Sequence, residues 1–223
     1  MKIDILTLFP HMFDGFLSES IIKRAINSQK VSINIIDFRE FSKLNNKQVD
    51  DTPYGGGAGM VLRIEPLYDA IMSVKDDDST IILMTPDGIK YNQGIAKELK
   101  LKKHLIFVCG HYEGFDERIR SLVDMEISIG DYVLTGGELA AAAMTDSIVR
   151  LIPGVLSDEQ SALSDCFQDD LLSPPVYTRP AEFNGWKVPD VLLSGNPKLI
   201  QAWQDEQAIE RTKALRPELL KKD

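Results

Sequence analysis

The sequence predicts an α/β domain built on a mostly parallel sheet that helices cover on both faces. Apolar, β-rich runs alternate with segments of helical periodicity from Ile3 to Arg150. Turns that contain glycine follow three of these runs, which end at Met84, Cys109 and Ile129. Because the carboxyl ends of parallel strands meet at one edge of a sheet, these turns are expected to converge on one pocket.

The elements follow from local pattern and from the residues that begin and end them. Pro10 ends the first apolar run, and Pro66 suits the first turn of a helix, where its missing N–H is harmless. Strands are expected at 3–9, 31–38, 80–84, 105–109 and 123–129. Helices are expected at 20–27, 65–74, 92–100, 116–122 and 137–150, with a long polar loop over 39–59.

The alternation stops near Pro153, and the composition then changes. Residues 157–175 contain five acids and no base and end in Pro174-Pro175, which is typical of a linker. The remainder has helical periodicity from Pro197 onward. We therefore predict an α/β domain over 1–156, a linker over 157–175 and a small helical domain over 176–223.

Composition restricts the class of protein. The 223 residues carry a net charge of −9, which argues against an extensive basic surface for nucleic acid. The two cysteines, Cys109 and Cys166, form no CxxC pattern, so a reduced cytoplasmic environment is expected. No apolar run approaches the ~20 residues that span a bilayer, and no membrane association is expected.

Several common motifs are absent. The run 54–60 is rich in glycine but lacks the Lys-Ser/Thr pair of a phosphate-binding loop. The first strand is followed by Phe9-Pro10-His11-Met12-Phe13, which is not a dinucleotide-binding GxGxxG. There is no GxSxG elbow, and the three histidines have no metal-ligand spacing, so each is interpreted as structural.

Three features remain open on pattern alone. The segment 128–139 holds three glycines, and Gly136-Gly137 suits either a plain turn or a ligand site. The acidic residues 158–170 are either solvated charge or a source of a general base. Arg150 either complements a helix dipole or acts as a donor in an active site.

Ordered strings along nearly the whole chain resemble the bacterial tRNA (guanine-N1)-methyltransferase family TrmD. These strings lie at 8–13, 49–60, 109–118, 128–139, 152–156, 177–180 and 191–196. The resemblance implies a SPOUT-class fold with a deep trefoil knot, an obligate homodimer and a cytoplasmic enzyme. It implies methyl transfer from S-adenosyl-L-methionine to N1 of guanosine 37, immediately 3′ of the tRNA anticodon, and a family requirement for Mg²⁺.

The resemblance also assigns roles to residues. Asp165 falls at the general base and Arg150 at the catalytic arginine, with each active site shared between subunits. The cofactor is expected to bind Thr85, Pro86, Gly110, Tyr112, Glu113, Ile129, Gly130, Asp131, Tyr132, Val133, Leu134, Gly136 and Gly137. No metal ligand is assigned. The alternatives are a knotted methyltransferase for another RNA and a non-catalytic regulator that binds S-adenosylmethionine or RNA.

Overall fold

The computed structural model describes residues 1–156, 166–167 and 170–220 of the chain. The chain divides into two compact units, Met1–Ser157 and Asp158–Asp223. The first unit contains the central sheet and the candidate site. The second contains short strands and helices.

Five strands of the first unit form one parallel sheet: β1 (Lys2–Thr7), β2 (Ser32–Asp37), β5 (Ser79–Lys90), β6 (His104–Val108) and β7 (Met125–Ser128). Their order across the sheet is β2-β1-β6-β5-β7, and every adjacent pair is parallel. Two short strands, β3 (Asp50–Asp51) and β4 (Val61–Leu62), pair separately as an antiparallel ladder. The prediction of a mostly parallel α/β sheet is confirmed.

Helices pack on both faces of this sheet: α1 (Asp14–Ser18), α2 (Ser20–Asn27), α3 (Ile64–Val74), α4 (Gln93–Leu99) and α5 (Glu138–Val149). Side chains alternate across a strand, so successive residues of β5 enter different cores. Ile82 packs with residues of α2, α4 and α5, whereas Ile81 and Leu83 pack with residues of α3. Each face therefore has its own hydrophobic core.

The structure differs from prediction mainly in β5 and after β6. We predicted a turn at 85–88, but β5 continues to Lys90 with a register shift between Met84 and Ile89. A side chain at Gly88 would overlap the main chain of β7, so glycine permits this close approach. The predicted helix over 116–122 is a 3₁₀ helix, Glu117–Leu122, and Asp116 accepts a hydrogen bond from the Arg118 N–H. Further 3₁₀ turns cover Pro10–Phe13 and Phe38–Phe41.

The described part of the second unit holds a β-hairpin, β8 (Glu182–Phe183) with β9 (Trp186–Lys187), and the helices α6 (Asp190–Leu193) and α7 (Pro197–Leu215). A 3₁₀ turn, Pro217–Leu220, follows. The Asn196 side chain caps α7 by accepting from the Lys198 and Leu199 N–H groups. Within the described residues, no helix is long and apolar enough to cross a bilayer.

Candidate functional site

A cavity of about 490 Å³ lies at the carboxyl ends of β5, β6 and β7. The three segments that follow Met84, Cys109 and Ile129 converge here as predicted, although the first of them is part of β5 and not a turn. The predicted cofactor residues that line it are Thr85, Pro86, Gly110, Tyr112, Glu113, Ile129, Gly130, Tyr132, Val133, Leu134, Gly136 and Gly137. Glycines and apolar side chains alternate with polar and charged side chains in these walls, a mixture that suits a small molecule with both apolar and polar parts.

The segment after β6, residues 109–114, forms one wall of the cavity. Tyr112 adopts φ = +60°, a conformation that costs a non-glycine residue about 1–2 kcal/mol. Neighbouring main chain supports the segment, because the Glu113 N–H donates to Met60 O at 3.0 Å and the Leu62 N–H donates to Gly114 O at 2.9 Å. The glycine-rich run 54–60 thus joins a segment that abuts the cavity.

Residues 129–137 form the opposite wall, and this wall contacts the first one directly. The Gly137 N–H donates to Gly110 O at 2.9 Å. A methyl group on Gly137 would lie 2.9 Å from the Cys109 Cα and 3.1 Å from the Gly110 nitrogen. Since both obstacles are main-chain atoms, this crossing of the two walls requires glycine.

Charged side chains surround the outer part of the cavity. The Arg120 guanidinium donates to Asp87 Oδ2 at 2.6 Å and to Glu117 at 3.0 Å, and it also bonds Glu126. The carboxylates of Glu117 and then Asp87 raise the pKa of Arg120 above its ordinary value. Three acids around one cation leave this part of the cavity net negative, which favours a cationic ligand.

A buried glutamate, Glu138, connects the two walls of the cavity. Glu138, in the first turn of α5, is 2% exposed. Its Oε2 lies 2.8 Å from His111 Nε2, and its Oε1 accepts from Thr7 Oγ1 at 2.6 Å. Sequence reasoning treated His111 as an isolated structural histidine, because 27 residues separate it from Glu138.

Other predicted residues lie elsewhere. Asp131 is absent from the described cavity lining, and its carboxylate pairs with Lys90 Nζ at 2.6 Å on the surface. Arg150 is the partly buried C-cap of α5, where its N–H donates to Asp146 O at 3.1 Å. Asp165 lies outside the described residues, so the structure does not test its predicted role.

Thiol and metal chemistry were also considered. Cys109 is fully buried in the core. Burial, and next the charge of Glu138, raise the pKa of its thiol well above the ordinary value, so a reactive thiolate is not favoured. Across residues 1–156, 166–167 and 170–220, no group of three or more His, Cys, Asp or Glu side chains is arranged to hold a metal ion.

Comparison with known proteins identifies the family. The family model for tRNA (Guanine-1)-methyltransferase TrmD matches residues 1–222. A tRNA (guanine-N(1)-)-methyltransferase of Staphylococcus carnosus is 57% identical over 100% of this chain and 91% of its own length. A protein of the same name from Bacteroides thetaiotaomicron is 56% identical over 99% of both chains. The chain therefore belongs to the TrmD family of tRNA (guanine-N1)-methyltransferases, as the ordered strings predicted.

Proposed function

We propose that this protein transfers the methyl group of S-adenosyl-L-methionine to N1 of guanosine 37 in tRNA. The observation that carries the proposal is the cavity of about 490 Å³, because all but one of the residues that the resemblance assigns to the cofactor line it. Membership of the family over residues 1–222 supports the same activity. The proposed cellular location is the cytoplasm, where tRNA is modified.

The cavity suits S-adenosylmethionine on chemical grounds. Main-chain groups of Gly110 and Gly130 and apolar side chains such as Ile129 and Leu134 provide surfaces for adenine and ribose. The acids near Arg120 favour a ligand with net positive charge. When bound, the sulfonium supplies an activated methyl group, so a covalent enzyme intermediate is not needed.

The protein's task is then to prepare guanine as a nucleophile. N1 carries a proton, and the proposed role of Asp165 is to accept it as the methyl group is transferred, an effect worth about 10²–10⁴-fold in rate. Negative charge moves to O6 as the proton leaves. Arg150 is proposed to stabilise that charge, since a guanidinium donates hydrogen bonds in a fixed plane.

We further propose the SPOUT-class knot and a homodimer with shared sites. Residues 129–137 run from β7 at the sheet edge to Gly110 beyond β6, a crossing that is consistent with a knotted segment. The 3₁₀ helix Pro10–Phe13 packs on α5, and large apolar side chains are exposed there. Phe9, Met12 and Leu139 are each more than 40% exposed, which suits burial against a second subunit.

The second unit offers groups suited to a tRNA anticodon region. α7 carries Lys198, Arg211 and Lys213. The rings of Tyr177 and Trp203 lie 6.4 Å apart, and Trp186 of the hairpin is 75% exposed. Cations for phosphates and exposed aromatic rings for stacking are the usual elements of RNA binding. This supports a tRNA-binding role for residues 176–223.

Mg²⁺ does not enter the proposed mechanism. The family is expected to need it, yet the described residues contain no cluster of ligands that fits the ion. No step is therefore assigned to a protein-bound magnesium.

Methylation of matched tRNA transcripts tests the proposal. The protein is incubated with labelled S-adenosylmethionine and transcripts that carry either G or A immediately 3′ of the anticodon. The G transcript should be methylated at N1, and the A transcript should not. Equal labelling of both transcripts, or labelling of neither, would contradict the proposed function.

The proposed base is tested by Asp165→Asn. This change keeps side-chain size but removes the proton acceptor, so turnover should fall about 10²–10⁴-fold while cofactor affinity stays within about threefold. Asp170→Asn, an exposed acid of the same segment, is the matched control and should retain turnover. Wild-type turnover in Asp165→Asn would place the base elsewhere.

A further inference from the structure

We propose that His111, Glu138 and Thr7 form a positioning network that sets the spacing between the two walls of the cavity. We also infer that position 136 is glycine because this network occupies the space of a side chain. The inference rests on the proposed function in one respect, that the ligand of the cavity is S-adenosylmethionine.

The carboxylate of Glu138 is fully engaged. Its Oε1 accepts from Thr7 Oγ1 at 2.6 Å, and its Oε2 pairs with His111 Nε2 at 2.8 Å. Glu138 is 2% exposed, and a buried carboxylate is stable only when it is paired and hydrogen-bonded. The amino end of α5 adds a favourable dipole. Both partners are therefore needed to keep this charge in place.

The three residues come from elements that are far apart in sequence. Thr7 ends β1, His111 belongs to the wall that follows β6, and Glu138 begins α5 directly after the opposite wall. The network also reaches the segment after β1, because Thr7 Oγ1 accepts from the Phe9 N–H at 2.9 Å and the Phe9 ring lies 4.6 Å from the His111 ring. A change in any of these contacts is transmitted to both walls.

Gly136 gives independent evidence for the network. A methyl group there would overlap His111 Nε2 and lie 2.5 Å from Glu138 Oε2. Gly136 has no left-handed φ, so its conformation does not demand glycine. The obstacles are the ends of two side chains, which can move, and not main chain. An alanine at position 136 should therefore separate the His111–Glu138 pair and leave the backbone path intact.

A double-mutant cycle tests the inference. Binding of S-adenosylmethionine is measured by calorimetry for wild type, His111→Ala, Gly136→Ala and the double variant. We expect about fivefold weaker binding for His111→Ala and about tenfold for Gly136→Ala, and the double variant should be within about twofold of His111→Ala. The effect on catalysis should appear mainly as a raised KM for S-adenosylmethionine, with a smaller change in kcat, because the network positions the cofactor pocket and does not touch the reacting atoms.

A different outcome of the double-mutant cycle would overturn the inference. If Gly136→Ala weakens binding by the same factor with and without His111, its methyl group acts on the backbone or the ligand, and the network is not what excludes it. Wild-type protein that binds no S-adenosylmethionine would contradict the proposed function instead. The two failures are thus distinguishable.

Two further variants separate positioning from general destabilisation. His111→Arg should stay within about threefold of wild-type affinity, because a guanidinium can also hydrogen-bond the Glu138 carboxylate. Thr7→Val keeps size but leaves the buried Glu138 carboxylate without one of its two donors, so it should lower the melting temperature and also weaken binding about tenfold. If His111→Arg binds as weakly as His111→Ala, or if Thr7→Val binds like wild type, the network is not a positioning device.

Discussion

The two ends of the parallel sheet each pair a histidine with carboxylates, yet they differ in what surrounds that histidine. At the amino end, His104 is 2% exposed, with Nε2 2.8 Å from Asp4 and Nδ1 2.9 Å from Asp76. At the carboxyl end, the described hydrogen bonds of the His111 imidazole go to Glu138 alone, and the ring lines a cavity. The first histidine is satisfied on both nitrogens, whereas the second borders a space suited to a ligand.

Similar residues thus belong to a structural network at one end of the sheet and to the candidate site at the other. Asp4 is also held by Asn34 Nδ2 at 2.7 Å and by Lys2 Nζ at 3.0 Å, so the amino end is a closed polar network. The carboxyl end instead has glycines where its walls cross. Substitutions at the amino end should therefore change stability, and those at the carboxyl end should change ligand binding.

The largest effect is expected from His104→Ala. This change leaves the buried Asp4 carboxylate without its histidine donor, so the free energy of unfolding should fall by about 3 kcal/mol. Chemical denaturation measures the loss, and cofactor affinity of the folded protein should be unchanged. The control is His11→Ala, where the side chain is 92% exposed and its pair with Asp14 should contribute about 1 kcal/mol or less. Equal losses of unfolding free energy in His104→Ala and His11→Ala would contradict the structural role assigned to His104.

At the carboxyl end, Gly137→Ala should weaken binding of S-adenosylmethionine by about 100-fold, which is about 2.7 kcal/mol. The new methyl group would meet main-chain atoms of Cys109 and Gly110, so one wall must move. Gly15→Ala is the matched control and should bind S-adenosylmethionine normally. A methyl group at this position of α1 would have no neighbouring atom within 4 Å. Normal binding by Gly137→Ala would mean that the wall crossing does not shape the ligand site.

The smallest effect is a pH dependence of stability at the amino end. Hydrogen bonds from His104 and then Ser79 hold the pKa of Asp76 below its ordinary value. A depressed folded-state pKa stabilises the protein above the unfolded pKa of about 3.9, and the contribution is lost as pH falls through the lower folded value. The stability difference between wild type and Asp76→Asn should therefore be constant near neutral pH and shrink below about pH 4. A difference that grows on acidification would contradict the assigned contact.

The sheet and the position of the site were predictable because both depend on local pattern. Apolar runs ending at Met84 and Cys109, each followed by residues typical of a turn, predicted the edge of the sheet at which the cavity lies. The extension of β5 was missed, since Thr85-Pro86-Asp87-Gly88 has turn chemistry and its pairing with β7 is a tertiary effect. Local pattern cannot report such distant pairing.

The hydrogen-bond partners of the polar side chains were less predictable than the segments that form the walls of the cavity. Asp131 lies among the predicted cofactor residues in sequence, but its pairing with Lys90 depends on an adjacent strand end. His111 and Glu138 carry no spacing signal, because their contact arises from the fold. The Gly136-Gly137 pair was the available clue. A side chain at position 136 would meet the side chains of His111 and Glu138, and one at position 137 would meet the main chain of Cys109 and Gly110.

Amide hydrogen exchange with and without S-adenosylmethionine compares the two ends in one measurement. The ligand should slow exchange at the amides of Thr85, 110–114 and 129–137, and leave the amides of Asp76 to Ser79 and of His104 unchanged. This pattern would establish the carboxyl end of the sheet as the cofactor site. Protection confined to the amino end, or no protection at either end under conditions that support methylation, would contradict it.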